Sequence, residues 1–158
     1  MVMPFTEQKM LSELLELAKK YAQIEVLTEV TARGEKLPIY GLALGSQDRS
    51  LPTFGLFGGV HGLERVGSHV VINYLKTLIA QLQWDKDLNK LLERVRIVSI
   101  PIVNPGGMYL SARANPNGVD IMRNAPIDSE EKGVLLVSGH FVSSKLPWYR
   151  GNPEAMEK

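Results

Sequence analysis

The stretch Thr53-Phe54-Gly55-Leu56-Phe57-Gly58-Gly59-Val60-His61-Gly62-Leu63-Glu64 decides how the chain is read. Its first part, Thr53 to Val60, is apolar without alternation. Such a run suits a strand buried on both faces, in a sheet covered by helices. Glycines end the run, His61 follows at the predicted strand tip, and Glu64 opens a helix. That helix is predicted over 64–83 from the spacing of Val66, Val70, Ile72, Tyr74, Leu75, Leu78, Ile79 and Leu82. A strand, a glycine turn and a helix form the repeating unit of α/β proteins. Ligands of open α/β sheets bind outside the carboxyl ends of the strands, which is where His61 and Glu64 fall.

Working outward, Thr6 to Tyr21 carries an apolar stripe of Met10, Leu11, Leu14, Leu15, Leu17, Ala18 and Tyr21, and reads as an amphipathic helix. Ile24 to Ala32 alternates Ile24, Val26, Thr28 and Val30 against Glu25, Leu27 and Glu29, which predicts a strand. The Arg33-Gly34-Glu35 turn then leads to a hairpin partner over Pro38 to Leu44. Downstream, Asp87 to Glu93 reads as a short helix, and Val95 to Val103 as a second strand buried on both faces. Asn104-Pro105-Gly106-Gly107 reads as a turn. Ser111 to Pro126 is dense in Asn, Pro and Gly, and Val134 to Val137 suits a short strand. Asn152 and Pro153 read as the cap and first residue of a helix whose body would lie past Lys158, so a truncated chain is expected. The order predicts an α/β fold: a mixed, mostly parallel sheet flanked by helices, with residues 1–158 forming part of one domain.

Composition excludes several classes. Lys plus Arg is 18 and Asp plus Glu 17, a net charge of +1. Nucleic-acid and membrane-surface proteins normally show a clustered basic excess, so neither partner is expected. The chain has no cysteine, which removes disulfide scaffolds, thiolate zinc sites, iron–sulfur clusters and thiol nucleophiles together. With 3 histidines, a metal site has few candidates to draw on. The N-terminal MVMPFTEQKM lacks the pattern of a signal peptide, and no apolar run is long enough to span a membrane, so a cytoplasmic location is expected.

His61 and Glu64 pair an imidazole with a carboxylate, a donor set that suits Zn²⁺. The same motif also reads as a loop histidine followed by a first-turn acid favoured by the helix dipole. A second cluster separates the two readings. Asn104-Pro105-Gly106-Gly107 is followed by Arg113 and then by Gly118-Val119-Asp120-Ile121-Met122-Arg123-Asn124. In this order, with Pro147-Trp148-Tyr149-Arg150-Gly151 beyond, the sequence resembles the zinc carboxypeptidase family of the carboxypeptidase A type, over the N-terminal part of its catalytic domain.

The resemblance implies that His61 and Glu64 are zinc ligands. It also implies that Arg113 stabilises the oxyanion and binds substrate, and that Arg123 grips a substrate carboxylate. Each arginine taken alone would read as a solvated loop residue. Met122 stands where the family has Asn and Gly106 where it has Asp. The family's third zinc ligand and its general-base Glu lie farther downstream than this chain extends. His140 is the one other loop histidine, and His69 lies on the predicted helix. The function implied is a metallopeptidase hydrolysing a peptide or small amide. An aspartoacylase or succinylglutamate desuccinylase type of amidase, or an inactive binding domain of the same fold, is the alternative. The 158-residue chain alone is expected to be inactive. A second copy, or a missing C-terminal half, is expected to cover an exposed sheet edge.

Overall fold

The computed structural model describes residues 5–124 and 149–151. Helix α1 (Thr6–Ala18) leads into a long hairpin of β1 (Ala22–Ala32) and β2 (Glu35–Gly45). Strand β3 (Thr53–Phe57), helix α2 (Val66–Gln81), helix α3 (Lys86–Leu92) and strand β4 (Arg96–Ile100) follow. The described chain then forms helix α4 (Pro105–Leu110) and a 3₁₀ turn at Ile121–Arg123. The sheet order is β1-β2-β4-β3. β1 and β4 each pair with β2 antiparallel, while β3 and β4 run parallel, so the sheet is mixed as expected. Among the described residues its parallel part is confined to β3 and β4.

The hairpin turns at Arg33 (φ 49°) and Gly34 (φ 84°), the left-handed pair that matches the twist of flanking strands. Pro38 sits inside β2 opposite Glu29, beyond the reach of β4, which pairs only with Leu42–Gly45. Its missing N–H therefore costs no ladder bond to β4. The simple alternation expected along β1 fails at one point. The register steps from Val26↔Tyr40 to Thr28↔Ile39, leaving Leu27 as an extra residue in a β-bulge. Ile24 thus shares a face with Leu42, whereas Val30 shares one with Leu37, and alternate faces of β2 carry Leu37 and Leu42. Leu27 folds over Gly41, where an added Cβ would meet its side chain at 3.0 Å.

The core forms where α1 and α2 pack on the sheet. Leu11, Leu14 and Ala18 of α1 meet Val71, Ile72, Leu75, Leu78 and Ile79 of α2 over Leu42, Leu44 and Ile97. Spacings of three, four and seven along each helix put these side chains on one stripe. The expectation that β3 and β4 are buried on both faces is corrected. β4 alternates, with Ile97 and Ser99 buried, and β3 is largely exposed. β3 is the outer strand of the described sheet, so Phe54 and Phe57 stand 56% and 58% exposed. A groove of about 590 Å³ runs along β1, β2 and β4, lined by Leu27, Gly41, Ala43, Phe57 and Val98 among others. Among the described residues, no helix is long and apolar enough to cross a membrane. The expected strand over 134–137, the expected helix start at 152–153 and His140 lie outside the described residues.

Candidate metal centre

β3 stops at Phe57, three residues before the predicted end, because the glycines turn the chain away. Gly58 N–H donates to Ile100 O (3.0 Å), Val103 N–H to Gly58 O (2.8 Å) and Asn104 N–H to Gly59 O (2.9 Å). The tips of the parallel pair are thus stitched together past the end of both strands. Gly59 has φ +64°, and a Cβ there would strike Met108 and Ser68. Gly62 is pressed against the backbone of Gly107 and Ala112, leaving no room for a side chain. Its N–H donates to Arg113 O (3.3 Å), which fastens the His61 loop to the arginine loop.

The predicted turn at Asn104–Gly107 is the opening of α4. Asn104 caps it by accepting from Gly107 N–H (2.7 Å), and Pro105 occupies the first helical position. Asn104 Nδ2 also donates to Val60 O (3.2 Å), clamping the residue before His61. Farther on, Asn115 Oδ1 accepts from Asn117 N–H (3.0 Å) and Val119 N–H (2.9 Å), shaping the loop that delivers Asp120. Asp120 N–H donates to Tyr149 O (2.8 Å), and Asn124 Nδ2 to Arg150 O (2.8 Å).

These loops bring five side chains together. His61 Nδ1 lies 3.0 Å from Glu64 Oε2, and His61 Nε2 lies 3.1 Å from Asp120 Oδ1. Arg113 bridges the two carboxylates, with Nη1 2.7 Å from Glu64 Oε1 and Nε 2.9 Å from Asp120 Oδ2. Arg123 Nε lies 3.3 Å from the same Asp120 oxygen. Glu64 precedes the helix, which begins at Val66, so it is no first-turn acid. Asp120 is 0% exposed. Burial alone would raise its carboxyl, but hydrogen bonds from Arg113 and His61 and their charges outweigh that and hold it below its ordinary value. The Glu64 carboxyl is also lowered, first by its hydrogen bond with His61 and, against a smaller effect of burial, by Arg113.

The imidazole therefore has a carboxylate at each nitrogen. An ionised carboxylate only accepts, so a proton on Nε2 satisfies the buried Asp120 and leaves Nδ1 facing Glu64. Two acceptors cannot face each other at 3.0 Å without a cation between them, either a proton on Nδ1 or a metal ion. Tetrahedral ligands at ~2.0 Å from Zn²⁺ stand ~3.3 Å apart, close to this separation. His61 and Glu64 fit zinc as two of its ligands. Among the described residues, no group of three or more His, Cys, Asp or Glu side chains could hold a metal ion, so the described site provides two donors.

Comparison with known proteins supplies the family. The zinc carboxypeptidase profile matches residues 10–140. The chain belongs to the zinc carboxypeptidase family. It is 27% identical over 132 residues to carboxypeptidase E of Caenorhabditis elegans, covering 73% of this chain and 28% of that protein. It is 26% identical over 136 residues to mouse carboxypeptidase M, covering 77% and 30%. The chain thus spans less than a third of the length of these two carboxypeptidases. The metallo-carboxypeptidase of Burkholderia cenocepacia shares the fold, with a TM-score of 0.62 at 24% identity over 77% of this chain and 33% of that one. Thrombin activatable fibrinolysis inhibitor superposes on 95% of the chain and 40% of its own, with a TM-score of 0.68 at 20% identity.

In this member of the zinc carboxypeptidase family, the structure brings together the four residues named from sequence: His61, Glu64, Arg113 and Arg123. Sequence reasoning gave no role to Asp120, the buried hub on which His61 and both arginines converge. The signal available was an acid flanked by apolar Val119 and Ile121 near two arginines. His69 lies away from this cluster, with Nε2 2.7 Å from Glu7 Oε1. Met122 is 62% exposed beside Arg123.

Proposed function

We propose that this chain carries the first two zinc ligands, His61 and Glu64, and the arginine pair of a metallopeptidase acting on a peptide or amide-linked acid. The observation that carries the reading is the orientation of His61. Its Nε2 is occupied by buried Asp120, and its Nδ1 is aimed at Glu64. A carboxylate behind a ligating histidine raises ligand basicity and fixes the ring. Lewis-acid polarisation of a carbonyl and acidification of water are what zinc supplies when bound. Arg113 provides a fixed cation beside the ligand pair for an oxygen that gains negative charge, and it has no proton to lose. Arg123, anchored on Asp120, offers a planar fork to a substrate carboxylate. The Met122 side chain beside it has no N–H to add to that grip, so the carboxylate would rest on Arg123 without the family's neighbouring side-chain amide.

Competition against a chromophoric chelator measures zinc affinity directly. His61→Ala and Glu64→Ala should each abolish measurable binding, and Asp120→Asn should weaken it by about 10–100-fold. Zinc affinity unchanged in both ligand variants would overturn the reading.

A further inference from the structure

A second charged cluster lies outside the site, at the start of α1. Glu7, in the first turn of that helix, is 2% exposed. Its Oε2 accepts from Arg65 Nη1 at 2.6 Å and its Oε1 pairs with His69 Nε2 at 2.7 Å. Arg65 reaches onward. Its Nη2 donates to Met108 O (3.0 Å) and approaches Ser111 Oγ (3.5 Å). Met108 and Ser111 end α4, and Ser111 adopts a left-handed conformation (φ 51°) two residues before Arg113.

Arg65 directly follows Glu64, so the chain carrying Glu64 is cross-linked to the chain carrying Arg113 on both sides. On one side Gly62 N–H donates to Arg113 O, and on the other Arg65 Nη2 donates to Met108 O. Glu7 holds one end of the guanidinium while the other end makes this second link. A buried carboxylate is costly unless paired, and here its partners lie on α2 and at its N-cap, far from α1 in sequence.

We propose that Glu7 and Arg65 form a strut from α1 that sets the spacing of Glu64 and Arg113, making both positioning residues for the zinc carboxypeptidase site. The inference rests on the functional reading above for its consequence at zinc, but the strut itself is testable without metal. His69 supplies the control, because it shares Glu7 yet touches neither α4 nor the site loops through the bonds described.

Amide hydrogen exchange at Gly62 and Ala112 reports the two loops, since Gly62 N–H bonds Arg113 O and Ala112 N–H bonds Gly107 O. Glu7→Gln should raise exchange at both amides by about tenfold, and His69→Gln should leave them unchanged even where it lowers the melting temperature. Arg65→Lys, which cannot span two acceptors as a fork, should reproduce the Glu7→Gln pattern and serves if Glu7→Gln does not fold. In parallel, zinc affinity should fall about tenfold in Glu7→Gln and not in His69→Gln. Equal exchange in Glu7→Gln and wild type, or equal increases in the Glu7 and His69 variants, would overturn the strut. So would zinc binding that depends on His61 and Glu64 but ignores Glu7. Zinc binding independent of His61 and Glu64 would instead overturn the functional reading, and the exchange data would still decide the strut.

Discussion

Asp120 shows how one buried acid can organise a site. It accepts from His61 and Arg113 and pairs with Arg123, so removing its charge leaves two guanidinium groups without their shared anion. Its carboxyl is held below the ordinary range in the fold, as are those of Glu7 and Glu64. For Glu7, burial pushes upward, but hydrogen bonds from His69, its own backbone and Arg65 win. A carboxyl lowered by folding contributes stability that is complete above its unfolded value and is lost as pH falls through the folded value. Urea midpoints should therefore hold steady near neutrality and drop below about pH 4. Asp120→Asn should start lower and fall less steeply over that acid range. Asn104 makes a different residue-scale case. It caps α4 and also holds Val60, so Asn104→Ala should cost about 1–2 kcal/mol in chemical denaturation, at the upper end for a helix cap. His61 and Glu64 were legible as a donor pair at a strand tip, whereas Arg113 and Arg123 stood out only through the resemblance carried by the motifs around them. Asp120 and Asn104 were not, because a buried acceptor reveals its partners only when distant loops meet.

At the level of elements, α1 and α2 were legible from their apolar stripes, and their residues interlock in the core. Leu14 is fully buried where α1 meets α2. Leu14→Ala should lower stability by about 2–5 kcal/mol, read from the urea midpoint at unchanged slope. The strands are legible as well, but their burial is not. An apolar run such as Thr53-Phe54-Gly55-Leu56-Phe57 looks doubly buried, yet in the described sheet β3 pairs with β4 alone. Sequence cannot distinguish a strand covered by its own fold from one whose apolar surface is left outward. The short helix α4 was hidden for another reason. Asn, Pro and two glycines signal a turn, and Asn followed by Pro is equally the cap and first residue of a helix.

At the scale of the described molecule, α1 and α2 pack over Leu42, Leu44 and Ile97, while β3, the outer strand of the described sheet, presents Phe54 and Phe57 to solvent. An exposed, apolar edge strand is a template for pairing with another chain. The chain should self-associate at micromolar concentration, and Phe57→Lys should shift sedimentation toward the monomer without lowering the melting temperature. The bulge at Leu27 has a consequence of another kind, in the tolerance of the gene to insertions and deletions. Because Leu27 is the surplus residue of β1, an in-frame loss of its codon leaves every existing partner opposite the same neighbour, from Val26↔Tyr40 directly to Thr28↔Ile39. The hairpin should survive that loss, with more space above Gly41 where the leucine had folded over it. Loss of the Ile39 codon from the opposite strand has no such reserve. It would leave the excess on β1 one residue larger, or turn half of β2 inside out. One strand of this hairpin carries a spare residue, and the other has none to lose.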